Sequence, residues 1–320
     1  MTFGEEWGWG SNKEASKKMY DCFLSHGGNF LDTANRYTEG TSERFVGEFI
    51  KSERDHIVLA TKFTLFDKNG DPNYSGNHKK NMIRSLEGSL KRLQTDYVDI
   101  LWVHAWDFTT DVRELMRALN DAVASGKVLH IGISDTPAWI VAKANTLAEC
   151  MGWTPFSCLQ IEYSLFERTA ERDLLPMAND YSMTVTPWAP LAGGLLTGKY
   201  TDKKKLSEGR LKEGGLRKSE RGFKIAEAVD EVAHRLGKPQ SQVALNWIRR
   251  VSNASIPIVG ATSEKQLDES LRCLEFSLSD EDVSKLSFAS DIEVGFPHDF
   301  LKRPAIQEII YGGTRKNIDI

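Results

Sequence analysis

The stretch "GNFLDTANRYTEGTSERFVGEFI", Gly28 to Ile50, runs apolar, stops at Asp32, sets Tyr37 beyond a short polar turn and opens a helical pattern at Thr41 to Glu43. It reads as a strand, a loop and a helix, with the strand ending on an acid. The same order recurs along the chain. Short β-branched runs alternate with longer amphipathic segments from residue 11 to about residue 273, the pattern of βα units around a parallel sheet. Seven runs read as strands: Asn29 to Asp32, Ile57 to Lys62, Val98 to His104, Val128 to Ser134, Cys158 to Glu162, Met183 to Trp188 and Ser255 to Gly260. Between them, "DVRELMRALNDAVASGK" places Val112, Leu115, Met116, Leu119 and Val123 on one helical face, with Gly126 as the stop. "SEKQLDESLRCL" and "RGFKIAEAVDEVAHRLG" carry the same stripe, the second ended by Gly237.

Strands that are nearly all apolar, each followed by a helix, favour a closed (β/α)8 TIM barrel over an open doubly wound sheet. No GxGxxG follows the first strand. Such a barrel has eight strands, and the opening "MTFGEEWGWG" reads as the loop after a strand, so the first strand is expected to be missing from this chain. A single domain over residues 1–320 would then hold a long Gly- and Lys-rich loop at about 193–220, of the kind that serves as a lid or is disordered. The tail, about 291–320, is expected to pack across one barrel end.

The formal net charge is -4 and the pI about 6.0, so no global field favours nucleic acid or an anionic membrane. A small neutral or polar partner fits better. Cys22, Cys150, Cys158 and Cys273 lie far apart without CxxC or CxxH spacing, which argues against a disulfide framework and a zinc site and for a reduced, cytoplasmic setting. No apolar run approaches the roughly 20 residues of a membrane span.

In a barrel of this type the C-terminal strand ends line the active face. Three successive strands end at Asp32, Lys62 and His104, and Tyr37 leaves the first of them. Singly, each has a plain structural reading as a turn residue, a solvated end, a surface aromatic or a rim histidine. Together they make a proton donor beside an oxyanion site. A Lys⁺ next to Tyr37 would lower its pKa, Asp32 would keep Lys62 charged, and a neutral His104 could donate to a carbonyl oxygen. The set has neither nucleophile nor metal, which leaves a hydride donor as the source of electrons.

The stretches "FLDTANRYTEGTSERFVGEF", "LATKF", "LWVHAWD", "GKVLHIGISD", "LQIEYSL", "WAPLAGGLLTGKY" and "IPIVGATSEKQLDESL" resemble, in order, the aldo-keto reductase superfamily. The resemblance implies an NADP-dependent oxidoreductase that reduces an aldehyde or ketone, with Tyr37 as general acid, Lys62 and Asp32 tuning it and His104 orienting the substrate. It further implies that Ser134, Asp135 and Gln160 hold the nicotinamide carboxamide, Asp135 standing where the family has Asn. Trp188 falls where an aromatic ring stacks on the nicotinamide, although a core Trp at the barrel rim is an equal reading. Ala189, Pro190, Leu191 and Gly193, in the stretch Ala189 to Leu195, would border the pyrophosphate, and Lys199 is a further cofactor-binding position. Gly260, Ala261, Thr262 and Ser263 lead into a helix start suited to phosphate, with Gln266 and Glu269 on the adenosine side, while "SEKQ" is also a capping box. NADP(H) is the expected cofactor, with NAD(H) left open. Trp106 and Phe108, with His104, are expected to wall a pocket for an apolar or aromatic carbonyl. The competing expectation is a non-catalytic dinucleotide-binding or regulatory protein of this fold, inactive through loss of the first strand.

Overall fold

A computed structural model describes residues 1–199, 219–251 and 255–318. Six parallel strands form one sheet in chain order: β1 (Phe30–Asp32), β2 (Val58–Phe63), β3 (Val98–Val103), β4 (Val128–Ser134), β5 (Cys158–Glu162) and β6 (Thr184–Trp188). Helices α1 (Lys13–Ser25), α2 (Thr41–Phe49), α3 (Lys79–Leu93), α4 (Val112–Ala124), α5 (Ala138–Met151) and α6 (Leu174–Asp180) alternate with them. There follow α7 (Glu220–Leu236), α8 (Gln240–Val251), α9 (Glu264–Leu271), α10 (Asp280–Ala289), α11 (His298–Leu301) and α12 (Pro304–Tyr311).

The sheet is curled. Asp32 on β1 and Gln160 on β5 are four strands apart, roughly 19 Å if the sheet were flat at about 4.8 Å per strand. Yet Gln160 Nε2 donates to Asp32 Oδ1 at 3.2 Å. Only a sheet bent round on itself brings those ends together, so this is a partial (β/α)8 barrel.

Six of the seven expected strands form within a residue or so of their predicted limits. The seventh, Ser255 to Gly260, makes a single parallel bridge, Ser255 with Val185, although Ile256 and Ile258 both donate to β6, at Val185 O (2.9 Å) and Pro187 O (2.8 Å). A parallel ladder would return a bond to Ile256 O from the backbone nitrogen of residue 187, and proline has no N–H to give. The segment therefore runs alongside β6 on one-sided bonds. At the other end, β1 pairs only with β2 among the described residues. Residues 3–11 lie near this edge: Phe3 O accepts from Thr38 Oγ1 at 2.6 Å and Ser11 Oγ donates to Thr262 O at 3.0 Å.

The main core lies between the sheet and its helices, with Leu59, Phe63, Leu159 and Trp247 wholly buried, and a small second cluster of Ala60, Trp102 and Cys158 lies on the other face of the sheet. Most of the expected long loop, residues 200–218, lies outside the described residues. In the tail, Arg172 holds Glu293 O at 2.8 Å, but α11 and α12 bury no residue. Among the described residues no helix is long and apolar enough to cross a membrane.

One buried charge ties α2 and α3 to the sheet. Glu43 has no exposed side-chain surface, accepts from Arg92 Nε at 2.6 Å and from Thr61 Oγ1 at 2.5 Å. Glu43→Ala would strand both donors and is expected to cost about 3–5 kcal/mol in a urea melt, against well under half that for a surface glutamate such as Glu220→Ala.

Candidate active site

Each of the four residues singled out at the strand ends sits where its element delivers it. Asp32 closes β1, Lys62 is the fifth residue of β2, His104 follows β3, and Tyr37 opens a 3-10 turn, Tyr37–Gly40. Lys62 has no exposed side-chain surface. Its Nζ donates to Asp32 Oδ2 and, at 2.9 Å, to Thr33 O. It stands 4.8 Å from the centre of the Tyr37 ring. The Tyr37 and His104 rings meet edge to face, 5.6 Å apart at 82°.

The electrostatics follow from this crowding. Burial works to lower the Lys62 pKa, but Asp32 and then Tyr37 hold the group above the ordinary lysine value, so it stays charged. His104 is pushed down to about 3, first by burial and then by the Lys62 charge, which keeps the ring neutral as expected. Tyr37 departs from expectation. Lys62 pulls its pKa down, yet desolvation is larger and the Asp32 charge adds to it, so the phenol lies above its ordinary value rather than below. It is a donor held firmly protonated.

His104 is aimed by its backbone. Its N–H reaches Phe63 O and Thr64 Oγ1, both at 3.3 Å, while the Thr64 hydroxyl donates to Asn77 Oδ1 at 2.7 Å. Thr64 adopts φ 96°, a left-handed backbone that a β-branched residue takes only under strain. His104 Nδ1 is buried with no hydrogen-bond partner.

The residues expected to hold a cofactor line the same end of the sheet. Trp188 Nε1 donates to Asp135 Oδ1 at 3.0 Å, fixing the indole. Asp135 is surface-accessible yet ringed by enough protein for burial to raise its pKa, with the Trp188 N–H and Lys62 opposing. Gln160 Nε2 also faces Thr186 Oγ1 at 3.4 Å, so both amide hydrogens point at protein. Ala189, Ala192, Gly193 and Gly194 all take positive φ, bending the chain after β6 through Pro190 and Leu191. Lys199 ends the described part of that run, exposed. A Cβ at Gly260 would meet only Thr2 Cγ2, at 3.7 Å. Ala261 packs inward. Ser263 caps α9, but Gln266 Oε1 reaches back to Thr262 N and Oγ1, both at 3.1 Å, one residue beyond the capping-box position. Glu269 is engaged by Ser241 Oγ at 2.9 Å.

Of the expected pocket walls, Trp106 is only 9% exposed and belongs to the core, whereas Phe108 is 73% exposed on a left-handed backbone. The aromatic that does stand against Tyr37 is Trp7, at 6.4 Å and 82°, its Nε1 donating to Glu39 Oε1 at 3.3 Å. The "WGWG" string, Trp7 to Gly10, is the signal that sequence reasoning passed over.

The model of the aldo/keto reductase family matches residues 1–290. The chain belongs to that family. It is thereby an oxidoreductase of the carbonyl–alcohol couple. It is 38% identical to norsolorinic acid reductase of Aspergillus flavus over 99% of this chain and 83% of that one. A probable aryl-alcohol dehydrogenase of Saccharomyces cerevisiae is 38% identical over 91% of this chain and 92% of its own. An aryl-alcohol dehydrogenase [NADP(+)] of Phanerodontia chrysosporium is 37% identical over 93% and 83% respectively.

For this oxidoreductase, the His104 geometry has a direct spectroscopic consequence. With its pKa near 3, the His104 ring is expected to show no protonation shift in imidazole NMR spectra between about pH 5 and 8, the range in which an unperturbed histidine titrates.

Proposed function

We propose that this chain is an NADP(H)-dependent reductase that interconverts an aryl aldehyde or ketone with its alcohol, Tyr37 Oη giving and taking the proton. The observation that carries the reading is the convergence of Tyr37, Lys62, Asp32 and His104 on one space at the C-terminal strand ends. The aromatic substrate class and the phosphorylated cofactor draw support from the printed names of the relatives, and Trp7 beside Tyr37 suits a planar ring.

The bound nicotinamide would supply the hydride. The residues present fit it: His104 Nδ1 is a buried polar atom without a partner, and the first-turn N–H groups of α9 suit a phosphate. Because both Gln160 amide hydrogens face protein and Asp135 is a carboxylate, these two could only accept from the carboxamide NH₂. Ser134 is then the one hydroxyl of the three able to donate to its carbonyl.

On the substrate side, neutral His104 offers a ring N–H to the carbonyl oxygen, and Tyr37 gives that oxygen its proton as charge develops there. An alkoxide is close to hydroxide in basicity and far more basic than a phenolate, so a phenol above its ordinary value still donates downhill. Lys62, held charged by Asp32, stabilises the phenolate left behind.

Tyr37→Phe is expected to lower kcat for an aryl aldehyde by at least about 10²-fold, the usual contribution of a general acid, while quenching of Trp fluorescence by NADPH persists. Unchanged turnover would overturn the reading. Retained quenching with no turnover in the parent chain across aryl carbonyls would favour the non-catalytic alternative. Reduction needs the protonated phenol, so kcat/KM should stay level through neutral pH and fall as pH rises past the raised Tyr37 pKa. Alcohol oxidation should rise over the same range.

A further inference from the structure

Away from the barrel mouth, α1 ends against α9, and three side chains able to hold a metal meet where they pack. Cys22 lies in the last turns of α1 and His26 is its C-cap, four positions on, so both face one side. Asp268 lies midway along α9. One donor atom from each lies within 4.8 Å of the others. Cys22 Sγ is 4.0 Å from His26 Nδ1, and His26 Nε2 is 3.2 Å from Asp268 Oδ1. Around tetrahedral zinc, bonds of about 2.0–2.3 Å place ligand atoms roughly 3.3–3.6 Å apart. The His–Asp separation is just under this, while the thiol, 4.0 Å from Nδ1, has to turn toward Nε2 for the three to share one ion.

Two further contacts select the ligand atoms. His26 Nδ1 lies 2.9 Å from Cys22 O, so its N–H donates there and leaves Nε2, which carries the proton of the ion pair with Asp268 in the metal-free chain, as the nitrogen a cation would take. Asp268 Oδ2 takes the Arg272 Nε–H at 3.0 Å, leaving Oδ1 toward the histidine.

We propose that Cys22, His26 and Asp268 bind a divalent cation of the zinc class, with water as fourth ligand, as a staple joining α1 to α9. Thiol, imidazole and carboxylate together suit zinc rather than magnesium or calcium, which take oxygen ligands. Binding forms the metal–sulfur and metal–nitrogen bonds and releases the thiol proton and the His26 Nε2 proton to solvent. The carboxylates of Asp268 and Glu264, whose charge reaches Cys22, provide the negative field a cation needs. The expectation of no zinc site considered only the CxxC and CxxH spacings; here two ligands are a helical turn apart and the third is distant in sequence.

The reduced, chelator-stripped full chain titrated with Co²⁺ is expected to develop a thiolate-to-metal charge-transfer band at one equivalent per chain, displaced by Zn²⁺. Cys22→Ser should abolish the band, and His26→Asn and Asp268→Asn should each weaken binding at least about tenfold. Cys150→Ser, at the exposed cysteine, should keep it. Absence of the band overturns the proposal and leaves His26 and Asp268 as an ion pair. So does a band lost with Cys150→Ser but kept in Cys22→Ser. Since His26 is partly exposed, His26→Asn tests the site even if the buried Cys22 variant does not fold, and parent-like affinity in it also overturns the proposal.

Discussion

The site depends on one buried charge. Lys62 has no exposed side-chain surface, and an ammonium group in that position would be untenable without partners. Asp32 and Thr33 O supply them from β1, and the second Asp32 oxygen is taken by Gln160 of β5. The hydrogen bonds that make Lys62 tolerable therefore also hold three strands in a curve. Stability and chemistry share the same atoms, since the pair that keeps the sheet ends together is the pair that sets the charge beside Tyr37.

That arrangement explains the Tyr37 result. A lysine can lower a neighbouring phenol's pKa only as far as its own charge is unbalanced, and here Asp32 balances it at hydrogen-bond distance. Desolvation then decides the sign. The expectation drawn from the residue types counted the Lys62 charge and not what Asp32 and burial take away. The result is a phenol held protonated rather than a strong acid, as the proposed proton donor requires.

How much could be read from the residues varies with the range of the interaction. Strand and helix limits follow from local pattern and turn chemistry, so β4 and β5 match residue for residue, and Gly237 caps α7 in the left-handed conformation as expected. The four residues at the barrel mouth were legible because strand-end position is a local property in this architecture. The bond from Gln160 to Asp32, the burial of Trp106 and the approach of Trp7 to Tyr37 depend on sheet curvature and on segments far apart in sequence. No spacing encodes them. The seventh strand is a middle case: its apolar run is plain, but its ladder fails on a proline in the neighbouring strand.

That failure has a structural consequence for α9. With Pro187 unable to return a bond, the segment entering α9 is tied to the sheet by the N–H groups of Ile256 and Ile258. Its position must come from elsewhere. Met19 of α1 packs with Ala261 and Leu267, with Phe3, Phe23, Val259 and Leu271 around them. Ser11 holds Thr262 O just before the α9 cap. The helix whose start is the candidate phosphate site is thus held by α1 and the residues before it at its start, and by Ser241 and Gln242 of α8 at Glu269. Whatever firms the α1–α9 contact firms the candidate phosphate site, while the candidate proton donor Tyr37 rests on the separate support of the buried Lys62–Asp32 pair.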